Sequence, residues 1–95
     1  MKAYWIAVYK DLDNLEKLKK YAEKATTAIK KYNGKILVRG GKVETLEGRP
    51  SPRTIIIEFP SVDIALKCYN SEDYQNAKKI AEGSFNRHIQ IVEGI

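Results

Sequence analysis

The run Ala3-Tyr4-Trp5-Ile6-Ala7-Val8-Tyr9 limits the possible folds of this chain more than any other segment. It is aromatic and β-branched and stops at Lys10-Asp11, so it reads as a strand. Side chains of a strand alternate between two faces, and here both sets are apolar: Tyr4, Ile6 and Val8 on one, Trp5, Ala7 and Tyr9 on the other. Such a strand belongs inside a sheet covered on both sides. A chain of 95 residues has material for a single core, and we read residues 1–95 as one domain. One face of the sheet then falls to the chain's own helices and the other to something else.

Asp13 stands three residues before Glu16, the spacing of a helix N-cap with its returning carboxylate. Leu18, Tyr21, Ala22, Ala25, Ala28, Ile29 and Tyr32 follow as one helical stripe, and Asn33-Gly34 supplies a left-handed stop. Strand character resumes at Lys35-Ile36-Leu37-Val38-Arg39, is interrupted at Gly40-Gly41 as by a bulge, and returns at Lys42-Val43-Glu44-Thr45-Leu46. After the turn-rich Glu47 to Pro52, Arg53-Thr54-Ile55-Ile56-Ile57-Glu58-Phe59 completes a hairpin. Pro60-Ser61 starts a second helix, Ser71 with Glu72 and Asp73 restarts it, and His88-Ile89-Gln90-Ile91-Val92 closes the chain as a strand.

The order β-α-β-β-α-β predicts an α+β, ferredoxin-like sandwich: a four-stranded antiparallel sheet with its helices on one face. The other face stays apolar, because the Arg53–Phe59 strand repeats the two-sided pattern with Ile55 and Ile57 against Ile56. A homodimer that packs two such faces together is the expected assembly, with Trp5 and Tyr9 in the dimer core.

Charge narrows the partners. The net charge of +5 invites a nucleic-acid reading, yet the lysines around the first helix are interleaved with Asp11, Asp13, Glu16 and Glu23, the pattern of a solvated face. The RNA-recognition motif shares this strand order, but its third strand needs stacking aromatics, and Thr54-Ile55-Ile56-Ile57-Glu58 has none. No nucleic-acid partner is expected. The single Cys68 and single His88 offer no metal-ligand set or internal disulfide, and no segment has the length of a membrane span or signal peptide. A cytoplasmic protein without metal, cofactor or membrane partner is the reading.

Arg39 and Glu58, on the two arms of the hairpin, are candidates for an anion clamp and a general base, with a cross-strand ion pair as their plainer role. His88 shares its strand face with Gln90, opposite Ile89 and Ile91, which suits proton transfer in a dimer cavity or simple accommodation there. Gly40 and Gly41 would let backbone approach a ligand, or form a bulge, and Trp5 would line a pocket for a flat ligand or fill the core. Cys68, flanking an apolar helix stripe, reads as a buried thiol.

Ala3-Tyr4-Trp5-Ile6-Ala7, Arg39-Gly40-Gly41, Leu46-Glu47-Gly48, Ile57-Glu58-Phe59-Pro60-Ser61, Tyr69-Asn70-Ser71-Glu72-Asp73-Tyr74-Gln75 and Val92-Glu93-Gly94 occur in an order that resembles the bacterial domain-of-unknown-function family 1330, of the dimeric α/β-barrel superfamily. The resemblance runs over nearly the whole chain, departing at Cys68, where an aromatic is common, and at Ala81, where an arginine is common. It implies a barrel dimer with a pocket between sheet and helices, and carries no catalytic residues. Superfamily likeness allows binding of a small cyclic or carboxylated compound, or its cofactor-free oxygenation, isomerisation or dehydration, although fold does not fix function. An RNA-binding module and a purely structural dimer are the alternatives.

Overall fold

A computed structural model describes all residues from Met1 to Ile95. Strand β1 (Ala3–Leu12) leads to helix α1 (Leu15–Lys31), strands β2 (Lys35–Arg39) and β3 (Arg53–Phe59), helices α2 (Val62–Asn70) and α3 (Glu72–Ile80), and strand β4 (Phe85–Glu93). The strands form one antiparallel sheet in the order β2-β3-β1-β4, so β1 is central as its two-sided apolarity requires.

Local chemistry sets the helix ends. Asn14, one residue later than the expected Asp13, caps α1 by accepting a 3.1 Å bond from the Lys17 amide. Asp13 is drawn away because its own amide donates to the Ser84 carbonyl at 2.8 Å, tying the end of β1 to the turn before β4. At the other end Asn33 takes the left-handed conformation (φ 62°) and the Gly34 amide donates to the Ile29 carbonyl. The second helix is broken as expected. Ser71 ends α2 and caps α3, its hydroxyl donating to the Cys68 carbonyl at 2.6 Å and accepting from the Tyr74 amide at 3.1 Å.

Three expectations are corrected. Lys42–Leu46 forms no strand, because the chain leaves the sheet at Gly40, whose positive φ of 68° turns it away after one bond to the Thr54 carbonyl. The irregularity in β2 falls between Ile36 and Val38 rather than at Gly40-Gly41. Trp5 and Tyr9 face the helices and lie in the monomer core, not on the open face, and each is 1% exposed. Trp5 stacks on Phe59 at 5.8 Å and meets the edge of Tyr74 at 5.0 Å, which locks the sheet to α3. Burial of Ile57 and Phe59 beside it contributes about 1.5–3 kcal/mol each.

The open face is made of Tyr4, Ile6 and Val8 of β1, with Thr54, Ile56 and Glu58 of β3 and His88, Gln90 and Val92 of β4. No helix covers it.

Candidate functional site

Between the sheet and α1 lies a cavity of about 40 Å³. It exists because small residues sit where the layers meet: Ala7 in mid-strand, and Ala22 and Ala25 on the facing helix. That space suffices for a few waters or one small ionic group. Trp5, Leu18, Ile29, Ile36, Ile55 and Ile57 make most of its wall apolar.

Tyr21 and Thr26 of α1 and three side chains of the sheet interrupt that wall, and pairing register explains why the three from the sheet converge. Tyr9 of β1 is opposite Arg53 of β3 on one side and Arg87 of β4 on the other, so the row Arg53-Tyr9-Arg87 crosses the sheet on its helix-covered face. Arg87 donates from Nη1 to the hydroxyls of Tyr9 (3.1 Å) and Tyr21 (3.0 Å), and from Nη2 to that of Tyr74 (2.8 Å). The Tyr21 and Tyr74 hydroxyls are themselves 2.6 Å apart. The guanidinium also lies over the rings of Phe85, Tyr21 and Tyr9, with its carbon 4.7 to 5.6 Å from their centroids.

This is a cation held by neutral groups. Burial opposes the charge on Arg87, but the oxygens of Tyr21, Tyr74 and Tyr9 outweigh burial and raise its proton affinity. Burial pushes Tyr9 and Tyr74 upward too, and Arg87 offsets this only in part. Tyr9 and Tyr74 are therefore protonated at neutral pH and the arginine is charged. The four ion pairs of the molecule (Lys2 to Glu58, Lys31 to Asp73, Lys42 to Glu44, Arg49 to Asp11) include neither Arg53 nor Arg87, and the cavity lining contains no carboxylate. Arg53 keeps one donor, Nε, buried and without a hydrogen-bond partner. Cationic donors around a pocket that lacks a carboxylate are what an anion would satisfy.

Residues 2–95 match the family described as Domain of unknown function (DUF1330). The chain belongs to the DUF1330 family. Among solved structures it is similar to a protein of unknown function from Rhodopseudomonas palustris (14% identity over 99% of this chain and 82% of that one, TM-score 0.79). It is also similar to a dimeric, ferredoxin-like protein of unknown function from Bacteroides fragilis (16% identity, 98% and 96% covered, TM-score 0.64). A third, SnoaB, a cofactor-independent oxygenase from Streptomyces nogalater, shares 4% identity over 99% of this chain and 93% of its own (TM-score 0.72). Such identities establish a shared ferredoxin-like fold. No curated protein shows significant sequence similarity.

The residues singled out from the sequence of this DUF1330 protein are scattered. Trp5 lines the cavity. Arg39 lies outside it, in a cleft with Ala22, Glu23, Thr26 and Arg53, and is exposed. The expected meeting of Arg39 with Glu58 does not occur: Arg39 is opposite Ile55, while Glu58 is opposite Lys35 on the open face, paired with Lys2 (3.2 Å) and bonded by the Tyr4 hydroxyl (3.4 Å). The two differ in face because the irregularity after Ile36 shifts the alternation of β2. His88 is exposed on the open face opposite Val8, two rows and two strands from Glu58, so these two form no catalytic pair within one chain. Gly40 packs beneath the Arg53 guanidinium, whereas Gly41 faces open space. Cys68 is fully buried, and burial pushes its thiol up to about 11, which makes it unreactive.

Arg87, Arg53, Tyr21 and Tyr74 were not singled out as site residues. A signal for the arginines was present: each shares strand parity with isoleucines of the inner face, Arg87 with Ile89 and Ile91, Arg53 with Ile55 and Ile57. A charge on a buried parity is the informative exception.

Proposed function

We propose that this protein binds a small carboxylated compound, its carboxylate in the cavity between sheet and α1 and its flat body in the adjoining cleft beside Arg39, without a cofactor, as a dimeric barrel closed over the open sheet face. The observation that carries this reading is the row Arg53-Tyr9-Arg87, two cations with no carboxylate facing an otherwise apolar cavity. Arg87 has five N–H donors and uses three on phenols, and Tyr9 accepts one of them, which aims its own proton elsewhere. The same donors would stabilise an enolate or phenolate oxygen, so conversion of the compound is chemically compatible with binding. The fold shared with SnoaB supports chemistry by side chains alone. The open face supports dimerisation over RNA binding, since Thr54, Ile56 and Glu58 offer no ring on which to stack a base.

The test is titration of benzoate and of the neutral benzamide, followed by calorimetry. Benzoate binding that benzamide does not match, weakened by about 1–3 kcal/mol in Arg87→Lys, supports the reading. Equal binding of the two compounds, or none by either, removes it.

A further inference from the structure

We infer that Arg53 is the gate by which small anions enter the cavity, and that the cleft beside Arg39 is the way in. The inference rests on the cavity reading above and adds the route and its selectivity.

Two hollows meet at one partition. The inner cavity and the outer cleft share three lining residues, Ala22, Thr26 and Arg53, which therefore form the wall between them. Two of the three are fixed. Ala22 has only a methyl group, with no torsion that moves a heavy atom, and the Thr26 hydroxyl is tied back to the Ala22 carbonyl at 2.7 Å within α1. Arg53 is the long side chain of the wall and the one able to swing.

Its backbone is anchored and its head is not. The Arg53 amide donates to Ser51 Oγ (3.3 Å), and that hydroxyl lies 2.6 Å from the Tyr9 carbonyl, which holds the start of β3 against β1. The side chain has no ion pair, and its Nε has no partner. Its guanidinium rests in a slot over Gly40, where any β-carbon would collide with it. Glu23 is the sole acid of the outer cleft and pairs with neither arginine. An anion moving inward thus meets Arg39, then Arg53, then Arg87, and at the partition it supplies the acceptor that Nε lacks. A neutral molecule gains nothing by displacing the side chain.

Trp5 is the sole tryptophan, 1% exposed, and lines the inner cavity, so its fluorescence reports entry. Quenching by iodide is compared with quenching by neutral acrylamide and by caesium in the intact protein, in Arg53→Gln and in Arg53→Lys. Iodide should quench the parent more than acrylamide does, each scaled to free tryptophan amide, and caesium should be inert. In Arg53→Gln the iodide advantage should fall on the order of fivefold, the enrichment that one unit charge gives at about 4 Å in water, with acrylamide quenching unchanged. Arg53→Lys should retain most of it. An iodide advantage that survives in Arg53→Gln overturns the gate and leaves the cavity reading standing if benzoate still binds. Should Arg53→Gln fail to fold, the parent still decides: iodide quenching no better than that of acrylamide overturns the route.

Discussion

Arg53 and Arg87 stand two strands apart in one row of the sheet, on either side of Tyr9, and both project toward the helices. Strand spacing sets their backbones about 10 Å apart, near enough for two like charges to act on one anion and far enough to avoid severe mutual repulsion.

Replacing Arg87 with Met removes three charge-bearing hydrogen bonds but leaves the bond between Tyr21 and Tyr74. Urea unfolding should show a loss of about 1–3 kcal/mol, since each phenol recovers only part of its solvation. A variant as stable as the parent would mean that the three phenols do not depend on the guanidinium.

Filling the cavity from the sheet side separates binding from folding. Ala7→Val adds methyl groups to a space of about 40 Å³, on a strand where a β-branched residue is locally welcome. Benzoate binding should be lost, while overpacking costs about 1–3 kcal/mol and leaves secondary structure by circular dichroism unchanged. Retained binding in a folded variant would move the ligand elsewhere.

Alkali should destabilise the fold through groups kept protonated by burial. The Cys68 thiol is pushed up from 9.0 to about 11, and Tyr9 and Tyr74 are raised above their ordinary value of 10.0. The unfolded chain releases these protons first, so above pH 9 it binds fewer protons than the native state and stability declines with rising pH. The stability from Cys68 is whole below pH 9 and gone above about pH 11, with the phenols adding a further decline above pH 10. Chemical unfolding between pH 7 and 11 measures this; in Cys68→Ala the decline should start later.

The open face is tested at Ile6, which lies between Ile56 and Gln90 on the central strand. Ile6→Lys should yield a folded monomer by sedimentation where the parent is a dimer, since a lysine buried by a facing sheet at the centre of this face, between Ile56 and Gln90, has no carboxylate beside it. A parent that sediments as a monomer at micromolar concentration, or a variant that remains dimeric, rules out this face as the interface.

Much of the fold was legible because it depends on local chemistry and on period. The two-sided strand at Ala3–Tyr9, the stripe of α1 and the restart at Ser71 each carry their own signal, and each is found in the structure. Lys42–Leu46 alternates like a strand yet forms none, because alternation says nothing about whether a partner edge is in reach once Gly40 has turned the chain. The site was less legible. Trp5 was found, but Arg87 becomes meaningful only when β4 is in register with β1 and when Tyr21 and Tyr74, from two helices, converge on it. Glu58 and Arg39 looked like partners because a hairpin read without the irregularity after Ile36 puts them on the same side.

The joint at Ser71 bears on how this cavity could be retuned. Its hydroxyl, bonded at once to the Cys68 carbonyl and the Tyr74 amide, fixes the angle at which α3 leaves α2. That angle aims the Tyr74 ring at Trp5 and its hydroxyl at Arg87. Ligand preference is thereby open to inheritance through a residue that touches no ligand: a slightly different bend would re-aim a phenol and reset the donor pattern inside, with every cavity-lining side chain unchanged.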